Sequence, residues 1–306
     1  MARGHIIDAW GEVSWQDFLE LCKPRIVALI VFTAMAGMFL APAQGVPLAS
    51  ALAAMLGIGL AAASAAAFNH VADHRIDALM ARTHHRPLPA GQIERRTALC
   101  FASLLGAFSM VLLAGFVNVL TAVLTLFSLI GYAIVYTVYL KRATPQNIVI
   151  GGAAGAAPPV LGWTAATGSI DPQALLLFLI IFAWTPPHFW SLAIYRWREY
   201  ASARVPMLPV THGLRFTRLQ ILLYTIILFI ASLLPFVTYM SGPLYLIGAV
   251  PLSSWFLCYA IRMQRDHSER LAIRTFRYSI LYLAGIFFFL FIDHYFVSMA
   301  VEFPMG

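Results

Sequence analysis

The chain has 306 residues, of which 61% are hydrophobic and only 11% are charged. A soluble domain carries about 25% charged and about 45–50% apolar residues, so this composition excludes a soluble enzyme, a disordered chain and a small secreted disulfide scaffold. The remaining class is a polytopic membrane protein, in which each span needs about 20 mostly apolar residues. The three cysteines lie far apart in the sequence and predict neither a disulfide framework nor a CxxC metal site.

The apolar runs predict an all-α fold, a bundle of nine transmembrane helices in a single domain covering 1–306. Residues 1–22 are polar and mixed, which predicts a short surface helix in an N-terminal cytoplasmic segment, and the bundle then occupies 23–306. The predicted spans lie near 26–41, 49–69, 98–116, 119–140, 147–167, 173–195, 219–240, 243–261 and 278–300. Tight turns are expected at Val117-Asn118 and at Ser241-Gly242-Pro243.

The basic residues predict the orientation of the bundle. With nine spans, all 20 Lys and Arg residues fall before span 1 or between spans 2–3, 4–5, 6–7 and 8–9. The opposite connections carry no positive charge. By the positive-inside rule the basic side is cytoplasmic, which places the N-terminus in the cytoplasm and the C-terminus across the inner membrane. The net charge of +7 is then a one-sided membrane-surface charge, and no motif indicates a nucleic-acid partner.

The connection after span 2 contains a pattern that topology alone does not require. Asn69, Asp73 and Asp77 are spaced by four residues, so on a helix they share one stripe at the membrane boundary. Two carboxylates and an amide oxygen form a hard oxygen site of the kind that Mg²⁺ prefers, with phosphate oxygens completing its shell. Arg82 and Arg86 follow and can donate to phosphate oxygens. A solvated helix end with mixed charge would explain the arginines but not the acids.

Two further polar regions leave alternatives open. The Pro186-Pro187 pair predicts a break in span 6 beside His188. His188 is then either a functional residue at this break or a structural histidine that is hydrogen-bonded in the core. Glu199 is either a second metal ligand or a surface partner for Arg196. In the third region, 141–159, the glycines are expected to let helices pack closely. Lys141 there is either a phosphate contact or a topology charge.

These residues resemble the signatures of the intramembrane aromatic prenyltransferase superfamily. The stripe Asn69-x3-Asp73-x3-Asp77 followed by Arg82-Thr83-x2-Arg86-Pro87 is similar to its first signature. Within the superfamily, the chain is most similar to the branch that farnesylates haem. That likeness rests on Lys23-Pro24-Arg25, the block 82–91, the block 141–152, Trp184-Thr185-Pro186-Pro187-His188-Phe189-Trp190, and Val205-Pro206-Met207-Leu208-Pro209-Val210. The second acidic motif is reduced to Glu199, where that branch commonly has Asp.

The resemblance implies transfer of the farnesyl group of farnesyl diphosphate to a vinyl group of haem b, with addition of water, giving haem O and diphosphate. Asn69, Asp73 and Asp77 would hold the cofactor Mg²⁺. The diphosphate would be held by the basic side chains Lys23, Arg82, Arg86 and Lys141. The allylic cation needs a dry aromatic pocket, for which the candidates are Tyr136, Trp184, Phe189 and Trp190.

The resemblance also implies a central cavity that opens to the cytoplasm and takes its prenyl substrate from the lipid bilayer. His188 is the first candidate near the porphyrin. Its rivals are His70, His74, His84 and His85. A hand-off to a downstream haem A synthase is implied by the likeness alone.

Three rival functions remain. A related prenyltransferase with a quinone-precursor or chlorophyll-type acceptor would share the first signature, but the Trp184–Trp190 block and the single Glu199 favour haem. A transporter would place charges near the midplane in paired broken helices, and Asp293-His294 in span 9 is a polar pair for which we predict a proton relay. An assembly factor without chemistry would leave the acidic stripe unexplained.

Overall fold

The computed structural model describes residues 14–42, 45–80, 83–203 and 205–302, with all side chains in these ranges except those of Arg142 and 297–302. Within these ranges every regular element is helical. The helices are α1 Trp15–Cys22, α2 Pro24–Leu40, α3 Leu48–Asp77, α4 Arg95–Phe116, α5 Val119–Ile130, a π-helix Gly131–Leu140, α6 Lys141–Ala143, α7 Asn147–Ala156, α8 Pro158–Thr167, α9 Pro172–Tyr195, α10 Trp197–Ser202, α11 Leu208–Thr211, α12 Gly213–Val237, α13 Pro243–Arg265 and α14 Glu269–Glu302.

The helices confirm the predicted membrane-spanning architecture. In the described part of the chain, eight helices are long and apolar enough to cross a membrane, where α5 continues into the π-helix and α7 into α8 as single spans. A ninth span results when α1 and α2, which meet at an angle of 47°, are counted together. Lys23 lies at this bend with a left-handed backbone, φ 50°. The bend directs α1 away from the axis of the first span.

The turns between spans follow from their local sequence. Asn118 precedes α5, and its side-chain oxygen accepts the backbone N–H of Thr121 at 2.8 Å, as an N-cap does. Gly168 ends α8 with φ 72°, a conformation that glycine adopts without steric cost. Pro243 begins α13 at a position where its missing N–H is not needed. Both predicted tight turns are therefore present.

The predicted break at Pro186-Pro187 is wrong, because α9 continues through both prolines to Tyr195. Each proline removes one N–H donor and crowds the carbonyl four residues before it, and a transmembrane helix tolerates this where neighbouring helices and hydroxyl side chains support it. Here α9 packs against α7, α12 and α14. The hydroxyls of Thr185 and Ser191 donate to the carbonyls of Ile181 and Pro187 at 2.8 and 2.6 Å.

Close contacts between helices explain why glycine stands at positions 37 and 162. A side chain at Gly37 would clash with the carbonyl of Pro159, and one at Gly162 with the carbonyl of Ala34, so α2 and α8 lie backbone to backbone. Contacts between successive spans continue around the bundle, and α14 also contacts α2. Because α8 packs against α2, α3, α5 and α9, it fills space between spans on the side opposite the basic connections. A central cavity open to the cytoplasm stays a prediction.

Asp293 has a structural role at the end of the bundle opposite the basic connections. Its side chain is 1% exposed and accepts the backbone N–H groups of Gly242 and Tyr245, the latter at 3.0 Å. The carboxylate thus satisfies donors at the start of α13 that have no partner within the helix. The proton relay predicted for Asp293 and His294 stays a prediction, but the burial of this acid is explained by capping.

Candidate active site

The three oxygen-bearing side chains of the stripe lie together on the last three turns of α3. Asn69, Asp73 and Asp77 are only 5, 2 and 5% exposed. The Asn69 Nδ2 group donates to Asp73 Oδ2 at 2.8 Å, so these neighbours share a face as the spacing predicts. A mixed-charge helix end in solvent would leave such side chains exposed. The structure buries them instead, which requires partners for the amide of Asn69 and for the two carboxylates.

Three cations from separate segments supply those partners. Lys23 Nζ donates to Asn69 Oδ1 at 2.6 Å, from the bend between α1 and α2. Lys141 Nζ, directly after the π-helix, pairs with Asp73 Oδ2 at 2.6 Å. Arg86 pairs with Asp77 Oδ2 at 2.7 Å. We call these six side chains the polar cluster: Lys23, Asn69, Asp73, Asp77, Arg86 and Lys141.

The loop after α3 is held in place by its own contacts. Thr83 is 1% exposed, and its hydroxyl donates to the backbone carbonyl of Asp77 at 2.9 Å. This bond folds the chain back over the end of α3, which brings Arg86 to the Asp77 carboxylate. Arg82, predicted to bind diphosphate, lies outside the described residues.

The π-helix forms a wall of the polar cluster that the sequence did not reveal. Thr137 is fully buried; its hydroxyl donates to the carbonyl of Tyr132 at 2.8 Å and accepts from Asn69 Nδ2 at 3.3 Å. On the same helix the rings of Tyr132 and Tyr136 stack with centroids 5.4 Å apart. Segments of π-helix occur frequently at functional sites because their wider turn moves side chains out of register. The one sequence feature that could have identified Thr137 as a site residue is its hydroxyl group within an apolar span.

Gly151 gives the Tyr136 ring its place. A side chain at this position would overlap the ring, so Tyr136 lies flat against the backbone of α7. The next glycine, Gly152, is in similar contact with Thr185 of α9. The π-helix thus packs against α7, and α7 packs against α9. The predicted glycine-mediated packing is confirmed here.

The Trp184–Trp190 block separates into two environments. Trp184 and His188 face α14, where Trp184 Nε1 donates to the carbonyl of Ser279 at 2.7 Å. Phe189 is 43% exposed on the outside of the helix. Trp190 is fully buried in a core cluster and meets Tyr224 of α12 edge to face at 5.4 Å. The structure therefore brings Trp184 and His188 together, with the Phe189 ring perpendicular to the imidazole at 5.0 Å, but places Trp190 in a separate core cluster.

The polar cluster fits a divalent cation by the nature of its donors. All three stripe residues offer oxygen, which is the ligand that Mg²⁺ takes in proteins. Asp73 Oδ1 is buried and has no hydrogen-bond partner among the described residues, an arrangement that costs free energy unless another group binds there. Glu199 does not join the cluster. It is 53% exposed and lies 4.0 Å from Arg196, so the surface-partner interpretation is the one the geometry supports.

The remaining histidines are not equivalent. His70 is 1% exposed, and neither ring nitrogen has a hydrogen-bond partner among the described residues. His74 contacts the carbonyl of Val71 at 3.0 Å within its own helix. His70 is thus a buried histidine that directly follows Asn69 of the polar cluster, and its burial is what distinguishes it from His74.

Comparison with known proteins agrees with this geometry. Residues 30–292 match the UbiA prenyltransferase family. The chain is 60% identical over 287 residues to the protoheme IX farnesyltransferase of Methylococcus capsulatus, covering 94% of this chain and 96% of that protein. It is 58% identical to that of Legionella pneumophila strain Paris, covering 93% and 97%.

Two solved structures share the fold. A digeranylgeranylglyceryl phosphate synthase superposes with a TM-score of 0.79 at 17% identity, covering 91% of this chain and 98% of that one. A UbiA homologue from Archaeoglobus fulgidus, bound to GPP and Mg²⁺, superposes with a TM-score of 0.57 at 17% identity, covering 90% and 99%. At these identities the likeness concerns the arrangement of helices.

Proposed function

The chain belongs to the UbiA prenyltransferase family, in its protoheme IX farnesyltransferase branch, and from that membership we propose that it farnesylates haem b to give haem O. The reaction joins the farnesyl C1 to a vinyl carbon of haem b, breaks the C1–O bond to diphosphate, and adds the hydroxyl of water to the other vinyl carbon with release of a proton. The observation that carries the chemistry is the polar cluster, in which each of three buried oxygen-bearing side chains is paired with a cation.

The cations of the polar cluster are proposed to bind the diphosphate. Each cation now donates to an oxygen of the stripe at 2.6 or 2.7 Å. Phosphate oxygens can replace these oxygens as acceptors when the substrate binds. Arg86 offers a planar fork that suits phosphate, and Lys23 and Lys141 offer compact charges. These side chains stabilise the negative charge that develops as the C–O bond breaks, which is the slow step for an allylic diphosphate. We assign Arg82 the same role from the sequence.

The stripe is proposed to hold Mg²⁺. Asn69, Asp73 and Asp77 would be its protein ligands, and when bound the ion would neutralise further charge on the departing diphosphate. The unpartnered Oδ1 of Asp73 supports this assignment. Glu199 is not included, because its contact is with Arg196.

The allylic cation must be kept from water until it meets the vinyl group. The stacked Tyr132 and Tyr136 rings beside the polar cluster offer aromatic faces for positive charge. Trp184 and His188 are proposed to contact the porphyrin. The active site is proposed to face the cytoplasm, where the basic connections lie, with the isoprenoid tail entering from the inner membrane. A hand-off of product to a haem A synthase is part of the same proposal.

The test is turnover by the purified full-length chain in lipid nanodiscs with haem b, farnesyl diphosphate and Mg²⁺. We expect a haem whose mass has increased by one farnesyl group and one hydroxyl, with the hydroxyl oxygen labelled when the reaction runs in ¹⁸O-water. Chelation by EDTA should stop turnover, and added Mg²⁺ should restore it. Prenylation of a phenolic quinone precursor, with haem b unchanged, would contradict the proposal and support the rival acceptor class.

A further inference from the structure

His188 is held between two aromatic rings at the contact between α9 and α14. Its imidazole stacks on Trp184 with centroids 4.1 Å apart and planes inclined by 22°, and it lies 4.5 Å from Phe276 at 31°. Both faces of the ring are thus covered. The Phe189 ring lies perpendicular to the imidazole with centroids 5.0 Å apart, and His188 is 8% exposed.

Ser279 fixes which nitrogen of that imidazole carries the proton. The Ser279 hydroxyl lies 2.6 Å from the carbonyl oxygen of Phe276 and 2.6 Å from His188 Nδ1. A hydroxyl has a single proton, and a carbonyl oxygen can only accept. Two oxygens 2.6 Å apart repel each other unless a proton lies between them, so we infer that the Ser279 proton points to the Phe276 carbonyl and that Nδ1–H donates to the serine oxygen. The other ring nitrogen, Nε2, is left with its lone pair.

The same serine also positions the stacking partner. Its backbone carbonyl accepts Trp184 Nε1 at 2.7 Å, and the residue itself is fully buried. One residue of α14 thus holds two neighbouring side chains of α9. Nε2 of His188 has no hydrogen-bond partner among the described residues, although the imidazole is otherwise fully constrained.

We propose that Nε2 of His188 is an axial ligand of the acceptor haem iron and that Ser279 is the positioning residue that fixes the ligating tautomer. The proposal rests on the function proposed above, which supplies haem as the acceptor. A neutral imidazole whose second nitrogen donates to an oxygen is the usual form of a histidine that binds iron. Ligation of the iron fixes the porphyrin relative to α9 and α14. It therefore limits which edge of the macrocycle can reach the prenyl donor.

The first experiment titrates haem b into the full chain in nanodiscs without farnesyl diphosphate. The wild-type protein should give the absorption and EPR spectra of histidine-ligated haem. His188→Ala should lose that spectrum and bind haem at least tenfold more weakly, and added imidazole should restore the spectrum. His70→Gln should leave it unchanged. A wild-type spectrum in His188→Ala, or its loss only in His70→Gln, would overturn the proposal.

The second experiment tests Ser279. Ser279→Ala should lower the iron–histidine stretching frequency in resonance Raman spectra of the ferrous complex, because the hydrogen bond to Nδ1 is lost. Ser279→Thr keeps the hydroxyl and should keep the frequency. Ser253→Ala, which removes a buried serine of α13 that contacts Tyr282, is the matched control. An unchanged frequency in Ser279→Ala would refute the positioning role.

Failure of this proposal and failure of the proposed function give different results. Haem O formation with no histidine-ligated spectrum would remove the axial ligand but keep the farnesyltransferase. A His188-dependent haem spectrum without any haem O would keep the ligand and remove the reaction. A loss of turnover in His188→Ala with a normal haem spectrum would assign the lone pair of Nε2 to proton transfer instead.

Discussion

Replacing Asp73 by asparagine should abolish turnover without preventing assembly. The change keeps the shape of a side chain that is 2% exposed but removes the charge that faces Lys141 Nζ at 2.6 Å. We expect kcat/KM to fall by about 10³-fold or more, which corresponds to about 4 kcal/mol of transition-state stabilisation. The assay is haem O formation in nanodiscs at saturating Mg²⁺.

The same substitution should also lower stability, and this effect can be separated from catalysis. Breaking a fully buried ion pair costs about 3–5 kcal/mol, and we expect about 1–3 kcal/mol here because Lys141 is 20% exposed. The double variant Asp73→Asn/Lys141→Met removes both charges and should recover most of the thermal stability in detergent. It should not recover turnover.

Glu94→Gln is the matched control, because this carboxylate lies exposed on the same connection and makes no side-chain cap bond to α4. It should retain wild-type activity. Turnover by Asp73→Asn within tenfold of wild type would refute the metal-ligand assignment. Recovery of turnover in the double variant would show that Asp73 acts through folding alone.

Three other substitutions test separate parts of the structure. Gly162→Ala should lower the thermal midpoint strongly in a detergent melt, because the added methyl group meets the carbonyl of Ala34 where two helix backbones touch; an unchanged midpoint would contradict that contact. Asp293→Ala should lower the free energy of unfolding by about 1–3 kcal/mol, because it leaves backbone donors at the start of α13 unsatisfied. The KM for farnesyl diphosphate should stay unchanged. A changed KM at normal stability would support the relay instead. Glu199→Gln should leave kcat within about twofold, since its contact is with Arg196 at the surface; loss of Mg²⁺ dependence would restore it as a metal ligand.

The sequence was sufficient for the spans and for the shared face of the stripe. Span lengths are set by the thickness of the bilayer core, which is the same constraint for every membrane helix. The nine apolar runs correspond to the helices. The spacing of Asn69, Asp73 and Asp77 depends only on helix geometry. The prediction of a break at Pro186-Pro187 failed because local sequence does not reveal the neighbouring helices that support α9.

Contacts between distant segments could be decided only by the tertiary structure. Lys141 is 68 residues from Asp73, and Ser279 is 91 residues from His188. Their pairing depends on how the π-helix packs against α3 and how α14 packs against α9, which no local pattern encodes. The amino-acid sequence by itself thus determined which segments form apolar helices long enough to cross a membrane and which oxygen-bearing side chains share a helix face. Only helix packing decided which cation neutralises each acid and which nitrogen of His188 keeps its lone pair.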